Sequence, residues 1–243
     1  MAGIYFVSDI HFGLQGGDEE QVKLDKLERL FALIKAEGRS LYLLGDILDY
    51  WMEYRHVIPK GFTRFLCLLS DLSRSGIEIT YFAGNHDFYL GRYFDEELGV
   101  KTRYGMQEVQ LEGKTFLLSH GDGLGSGDWG YKLFARLVRN RFNLGLLTGF
   151  HPDLATSLMR RVSHFSRHHK PEDMKSEPTR LIEFATALAR ERVFDYFVCG
   201  HNHAARMETL SESGSTYVNL GTWIEGQYPY GVYDEGRFQI RKV

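Results

Sequence analysis

Apolar residues recur in two alternating patterns along the first third of this chain. Short apolar runs predict buried strands, and apolar positions three or four residues apart predict helices. Strands are predicted at residues 4–7, 41–44 and 77–82, and helices at residues 21–37 and 61–75. The first helix is expected to face the core with Val22, Leu24, Leu27, Leu30, Phe31, Leu33 and Ile34. Strands that alternate with helices favour a parallel sheet with helices outside.

The pattern changes in the second half of the chain. A turn at Glu112-Gly113 predicts a hairpin over residues 108–119. A helix is predicted over residues 179–192 and a strand at residues 196–199. Short strands separated by glycine-containing turns follow at residues 205–210, 215–220, 230–234 and 237–242. We therefore expect two sheets packed face to face, the second more antiparallel, with helices on the outer sides.

Between these halves lies a segment of different composition, residues 124–170. Helical spacing predicts two helices in it, with apolar positions at Leu133, Phe134, Leu137 and Val138, then at Leu154, Leu158, Met159, Val162 and Phe165. Eight Lys or Arg and one acidic residue lie from Lys132 to Lys170, in a chain of net charge −3. Two interpretations stay open, a solvated helical hairpin and a lid for an anionic, partly apolar ligand. We expect residues 1–243 to form one domain around this insertion.

Composition limits the class of protein. The 243 residues, 43% of them apolar, suffice for one sizeable core, and the net charge of −3 gives no indication of a nucleic-acid partner. No obligate protein partner is evident. We expect no signal peptide, because the first residues lead directly into a predicted strand, and no membrane-spanning segment, because no apolar run approaches 18 residues. Cys67 and Cys199 are most simply buried reduced thiols. We expect a soluble cytoplasmic protein, and peripheral contact with the inner face of the cytoplasmic membrane stays open.

Polar side chains follow the predicted strands at seven positions. These residues are Asp9, His11, Asp46, Asn85, His120, His201 and His203. A single Asp or His at a strand end is typically a turn or structural residue, but so many in one chain favour a common site at one rim of the sheets. Carboxylate, imidazole and amide oxygen suit divalent manganese, iron, cobalt or zinc. Seven ligands suit two adjacent ions that share a carboxylate, an arrangement that clamps a phosphoryl group.

Five motifs give the chain a resemblance to the calcineurin-like metallophosphoesterases. They are Asp9-x-His11, Gly45-Asp46-x-x-Asp49, Gly84-Asn85-His86-Asp87, His120-Gly121-Asp122 and Gly200-His201-x-His203. The resemblance spans nearly the whole chain and implies an α/β fold, a four-layer α/β/β/α sandwich, with a dinuclear centre. It implies one ion on Asp9, His11 and His203, a second on Asn85, His120 and His201, and Asp46 as the bridge. His86 resembles the family's non-ligand histidine, which contacts the phosphate and protonates a leaving oxygen.

A closer resemblance is to the UDP-2,3-diacylglucosamine pyrophosphatases of lipid A synthesis. It rests on residues 45–51 and 85–91, on His120-Gly121-Asp122 followed by Asp128 and Tyr131, and on the basic insertion at the family's lid position. That family cleaves the substrate's diphosphate to lipid X and UMP. The resemblance therefore implies an acylated sugar-nucleotide substrate, water activated by two divalent ions, manganese first, and catalytic roles for Asn85 and His86. It implies substrate contacts by Asn85, His86, Asp128, Tyr131, Arg160, Ser163, Arg167, Lys170 and His201.

One position departs from that closer family. Many of its members have Arg where this chain has His86, and the histidine restores the general phosphoesterase pattern. Another reaction of the same fold therefore stays open, that of a nucleotide phosphodiesterase or phosphatase. A non-catalytic scaffold of this fold, which would bind a protein partner, is expected to lose metal ligands. All seven are present here, so a scaffold is disfavoured.

Overall fold

A computed structural model describes residues 2–125, 145, 149, 151–153, 177–210 and 214–243. Most of the predicted insertion at residues 124–170 lies outside these residues. This applies to every apolar position of its two predicted helices and to all of its basic residues. Among the described residues, no helix has the length and apolar character needed to cross a membrane.

Strands and helices have the following bounds. The strands are β1 (Gly3–Val7), β2 (Gly38–Leu44), β3 (Glu78–Phe82), β4 (Lys101–Arg103), β5 (Gln107–Leu111), β6 (Lys114–Leu118), β7 (Tyr196–Cys199), β8 (Arg206–Thr209), β9 (Thr216–Asn219), β10 (Pro229–Asp234) and β11 (Arg237–Lys242). The helices are α1 (Gly17–Glu37), α2 (Thr63–Arg74), α3 (Tyr93–Leu98) and α4 (Glu177–Glu191). The short α3 and β4 were not predicted, because neither is long enough to show a period.

The first sheet has the order β11-β10-β1-β2-β3-β4. Strands β1 to β4 run parallel, as the strand–helix alternation predicts, and Leu41 of β2 pairs with Tyr5 on one side and Ile79 on the other. β10 pairs antiparallel with β1, and β11 with β10. The parallel strands end at the same edge, so the residues that follow them meet there.

The second sheet has the order β5-β6-β7-β9-β8. β5 with β6 and β8 with β9 are antiparallel, whereas β6 with β7 and β7 with β9 are parallel. We predicted that the strands of the second half form a second sheet of more antiparallel character. This is wrong in part, since the last two strands, β10 and β11, join the first sheet. β10 is buried at five consecutive positions, and such a strand needs cover on both faces, which it obtains beside β1.

Alternate side chains of β1 show how the layers are built. Tyr5 and Val7 pack under α1 and α2, whereas Ile4 and Phe6 face the second sheet. There the ring of Phe6 stacks on Phe116 with centroids 6.0 Å apart. On the far side, α4 packs against β7 and β9. The order is helices, sheet, sheet, helix, so the predicted four-layer α/β/β/α sandwich is confirmed.

Two details of the helices differ from expectation. Helix α1 begins at Gly17, and its buried face carries Lys23, while Val22 is 42% exposed. The expected position of Val22 in the core is therefore wrong, because the helical period places residue 23 above Leu27. Cys199 is buried but Cys67 is exposed, since α2 turns its opposite face to the core. The expectation of two buried thiols holds for Cys199 alone.

Candidate metal centre

The seven predicted ligands lie at the carboxyl ends of strands from both sheets. Asp9 and His11 follow β1, Asp46 follows β2, Asn85 follows β3, His120 follows β6, and His201 and His203 follow β7. The main chains of these segments are joined directly, because Asp9 N–H donates to Gly45 O at 3.1 Å and Gly200 N–H donates to His120 O at 2.9 Å. The fold therefore brings the predicted residues to one rim.

One group of side chains is formed by Asp9, His11 and His203. His203 Nε2 lies 3.3 Å from Asp9 Oδ1, and His11 Nε2 lies 3.9 Å from the same oxygen. One ligand atom from each residue falls within 4.8 Å of the others. Asp9 and His11 are buried, whereas His203 is partly exposed. This group has the composition and spacing of a metal site open to solvent on one side.

The second group is formed by Asn85, His120 and His201. Asn85 Oδ1 lies 3.1 Å from His120 Nε2 and 3.0 Å from His201 Nδ1. Asp46 Oδ2 lies 3.4 Å from His120 Nε2 and 3.7 Å from His11 Nε2. Asp46 thus stands between the two groups, which is where a shared carboxylate is expected.

The ring of His11 tests whether this rim fits metal ions. Both of its nitrogens are buried, and Nε2 makes no hydrogen bond with any residue that the structure describes. Nδ1 lies 3.4 Å from Asp49 Oδ1, a contact that acts to raise the pKa of the ring, and Nε2 faces the carboxylates of Asp9 and Asp46. A buried polar atom without a partner is costly, and a divalent cation between these carboxylates would give Nε2 one. The donor set therefore fits divalent metal ions.

The backbone at the rim is left-handed at five of the seven positions. The φ angles are 51° at Asp9, 52° at His11, 53° at Asp46, 71° at His201 and 59° at His203. Residues other than glycine rarely adopt this conformation, which costs on the order of 1–3 kcal/mol at each position. Such conformations persist where the surroundings impose them, and they cluster at functional sites. Their concentration here supports a functional rim.

Asp87 holds the turn that presents Asp46. Its carboxylate is fully buried and accepts a hydrogen bond from the phenol of Tyr81. It also accepts from four main-chain N–H groups, which belong to Gly84, Asp46, Ile47 and Leu48. Sequence reasoning gave Asp87 no role beyond its place in the motif. This role could have been predicted from the position of Asp87, three residues after Gly84, because an Asp in a tight turn commonly accepts hydrogen bonds from nearby N–H groups.

Three glycines allow the ligands to approach the main chain. A Cβ atom would collide with the Asp46 carboxylate at Gly84 and with the Asp9 carboxylate at Gly200. At Gly45, where φ is +82°, a Cβ would lie 2.6 Å from the His120 ring. Glycine is needed at these positions because a ligand occupies the space of a side chain.

Burial and mutual charge determine how the ligands ionise. Desolvation acts to raise the pKa of Asp46, but His120 and His86 hold that pKa well below its ordinary value. Burial acts to lower the pKa of His120, yet Asp46 and Asp9 keep it well above the usual range. Burial, with His120 beside it, lowers the pKa of His201 to about 4, and burial also lowers the pKa of His11. His11 and His201 are therefore neutral near pH 7, the form that binds metal.

His86 lies beside this rim with its ring in a defined orientation. Its Nδ1 lies 3.1 Å from Asp49 O, and because a carbonyl only accepts, Nδ1 donates. Its Nε2 lies 4.0 Å from Asp46 Oδ2, and its ring centroid lies 4.8 Å from that of His11. Spacing alone also groups His86 with His11 and Asp46 as a metal-sized trio. The geometry therefore accommodates a proton donor or a further ligand at this position.

The predicted substrate contacts divide into two sets. Asn85, His86 and His201 lie in the rim. The others, Asp128, Tyr131, Arg160, Ser163, Arg167 and Lys170, lie outside the described residues.

The four-layer sandwich and the Asp and His side chains that converge at its rim, together with the family match that follows, indicate a metal-dependent phosphoric ester hydrolase. A sequence model of the calcineurin-like phosphoesterases matches residues 3–205, and the chain belongs to that family. The chain is also similar to two curated relatives, both named UDP-2,3-diacylglucosamine hydrolase. The relative from Porphyromonas gingivalis is 34% identical over 95% of this chain and 94% of its own length. The relative from Neisseria meningitidis serogroup B is 30% identical over 92% of this chain and 90% of its own length.

A solved structure gives the same fold. It is described as a novel archaeal phosphodiesterase, and it aligns with a TM-score of 0.50 at 12% identity, over 99% of each chain. At this identity the likeness supports the fold alone.

Proposed function

We propose that this chain is a dinuclear-metal hydrolase that cleaves the diphosphate of UDP-2,3-diacylglucosamine to lipid X and UMP. The observation that carries the proposal is the convergence of two ligand groups on Asp46. The choice of substrate is supported by the two relatives named for it, which align along more than 90% of this chain. One ion would be held by Asp9, His11 and His203. The other would be held by Asn85, His120 and His201, and Asp46 would contact both ions.

Two bound divalent ions neutralise the oxygens of a phosphoryl group and lower the pKa of a water that attacks the phosphorus. Carboxylate, imidazole and amide oxygen favour manganese, with iron, cobalt and zinc as alternatives. The left-handed backbone at Asp9, His11 and Asp46 fixes these side chains before substrate arrives. Such preorganisation lowers the reorganisation cost at the moment of reaction.

His86 is the proposed proton donor. The bond from its Nδ1 to Asp49 O fixes the ring, and its Nε2 lies near Asp46, where the phosphoryl group would sit. A proton on Nε2 would be given to the leaving oxygen as the phosphorus–oxygen bond breaks. Asn85 would contribute the donor end of its amide beside the same group.

The insertion at residues 124–170 is proposed as the element that recognises the acyl chains. This part of the proposal rests on the sequence, on the basic excess and the apolar helical positions. Each methylene removed from water contributes about 0.8 kcal/mol to binding. Replacement of the insertion by a short Gly-Ser linker should therefore weaken turnover of the acylated substrate strongly and leave slow hydrolysis of a small chromogenic phosphodiester largely intact. Equal turnover of the acylated substrate would contradict this role.

The test of the function is incubation of the manganese-loaded protein with UDP-2,3-diacylglucosamine in ¹⁸O-labelled water, with the products read by mass. The proposal predicts lipid X and UMP, with one ¹⁸O atom in only one of the two products. The same protein treated with a chelator is the control and should form neither. Intact substrate, together with rapid hydrolysis of unacylated nucleotides, would instead favour a general nucleotide phosphodiesterase.

A further inference from the structure

One lysine is buried close to the candidate metal centre. Lys23 on α1 is 1% exposed, on the helix face that also buries Leu27, Leu30 and Ile34. An ammonium group is costly to remove from water, and an apolar side chain would fill the same place without that cost. Packing alone therefore gives no reason for a lysine at this position.

The ammonium of Lys23 has specific partners. Its Nζ donates to His11 O at 3.2 Å and to Glu20 Oε1 at 3.3 Å. Glu20 in turn accepts from the N–H of Gly13 at 2.9 Å and of Gln15 at 3.1 Å. The first turns of α1 thus hold residues 11–15 by their main chain.

The His11 ring meets the Asp49 carboxylate at 3.4 Å from Nδ1, but no hydrogen bond is made by Nε2, so the main chain helps to set where Nε2 points. The main chain is left-handed at this residue. That main chain is held by the His11 N–H, which donates to Asp46 O at 2.9 Å, and by His11 O, which accepts from Leu14 N–H at 3.2 Å and from Lys23.

We propose that Lys23 is a positioning residue for the metal centre, because its bond to His11 O keeps His11 Nε2 between the carboxylates of Asp9 and Asp46. Lys23 itself would touch neither metal nor substrate. The inference rests on the metal centre of the proposed function, and it is independent of which phosphoric ester is cleaved.

The test is a calorimetric titration of the metal-free protein with Mn²⁺ alone. The wild type should bind two ions. In Lys23→Met, whose unbranched side chain is one atom shorter and lacks the ammonium group, one ion should bind about 10–100-fold more weakly, as is usual when a group that orients a ligand is removed. The second ion should bind as before. Lys35→Met is the matched control, because Lys35 is exposed on the same helix, and both ions should bind as in the wild type. Unchanged binding of both ions to Lys23→Met would overturn the inference.

A double variant separates positioning from general damage. If Lys23 acts through His11, Lys23→Met combined with His11→Gln should lose no more affinity than His11→Gln alone. Additive losses would overturn the inference.

Glu20→Ala is the second variant, for use if Lys23→Met fails to fold. It removes the acceptor shared by Lys23, Gly13 and Gln15, so the same ion should bind more weakly. Unchanged binding would count against the inference. Because the titration uses no substrate, a wild type that binds two ions but leaves UDP-2,3-diacylglucosamine intact contradicts the proposed substrate alone. Weaker binding by the variants would then still support Lys23 as a positioning residue.

Discussion

The candidate metal centre has two halves, one formed by Asn85, His120 and His201 and the other by Asp9, His11 and His203. His120 in the first half and His11 in the second are positioned by different means. On one side, His120 Nδ1 donates to Leu44 O at 2.9 Å, so the ring is fixed by a hydrogen bond of its own. On the other side, the His11 ring has only a longer contact, 3.4 Å from Nδ1 to the Asp49 carboxylate, and its main chain is left-handed and tied to Asp46 and Lys23. Ligands of the same type are thus positioned either by the side chain or by the backbone. The half that contains His11 should accordingly be more sensitive to changes in α1.

The largest effect is expected from Asp46→Ala, because Asp46 is the side chain that the two halves share. Its loss leaves His11 and His120 without the carboxylate between them, so metal content should fall below two ions and hydrolysis should be abolished. Elemental analysis and a chromogenic phosphodiester assay measure the two quantities. Asp71→Ala, which replaces an exposed residue of α2, is the control and should retain both its metal content and its hydrolytic activity. If Asp46→Ala bound two ions and kept full activity, the proposal that the Asp46 carboxylate bridges the ions would be wrong.

The next effect concerns His86, which lies closer to the His11 half. Turnover of His86→Gln should fall by about 10²-fold or more, the range for a lost proton donor, while metal content stays near two. The turnover number is measured at saturating substrate, and the metal content of the same sample is measured by elemental analysis. If an ion is lost as well, His86 is a ligand, as its spacing from His11 and Asp46 also allows.

Two glycine variants should disturb the halves separately. Gly200→Ala places a methyl group against the Asp9 carboxylate, and Gly45→Ala places one against the His120 ring. Each variant should bind one of the two ions about 10–100-fold more weakly, and the affected ion should differ between the two variants. Titration with Mn²⁺ measures both affinities. Gly236 has a positive φ of 77°, close to the 82° of Gly45, and lies in open space, so Gly236→Ala controls for the backbone strain of Gly45→Ala and should bind both ions normally. Equal loss of both ions in each variant would contradict separate halves.

The smallest effect is a difference in proton release. Asp46 and Asp9 outweigh burial and raise the pKa of His120, so this ring is protonated below that pKa and an ion must displace the proton. Burial lowers the pKa of His11, so His11 itself should release no proton near pH 7. Manganese affinity at the ion that His120 would bind should therefore rise with pH up to the raised pKa of His120, whereas His11 should add no such dependence at the other ion. Calorimetry in buffers of different ionisation enthalpy should find about one proton for one ion. Equal release with both ions would contradict this difference.

The sequence predicted the sandwich and the members of the rim for a simple reason. β1 and the last four residues of β2 are continuous apolar runs, and the polar residues that follow each run fall at the sheet edge. The period of a strand does not show which sheet it joins, and β10 and β11 were therefore misplaced. Pairing depends on the burial of both faces of β10, which is a property of the assembled layers.

The supporting residues were harder to predict than the ligands. Lys23 is charged, so a search for apolar positions passes over it, although its helical phase with Leu27 and Leu30 was present in the sequence. The bond from Lys23 to His11 depends on how α1 docks on β1, which no local pattern contains. The hydrogen bonds of Asp87 to Ile47 and Leu48 likewise join segments that only the fold brings together.

The central claim is that the rim holds two ions that share Asp46. Crystals of the manganese-loaded protein, with diffraction recorded at a wavelength where manganese scatters anomalously, test it most directly. The account predicts two anomalous peaks about 3.5–4 Å apart, the usual separation in two-metal sites, with the Asp46 carboxylate between them. A single peak, or two peaks of which one lies away from Asp46, would contradict it.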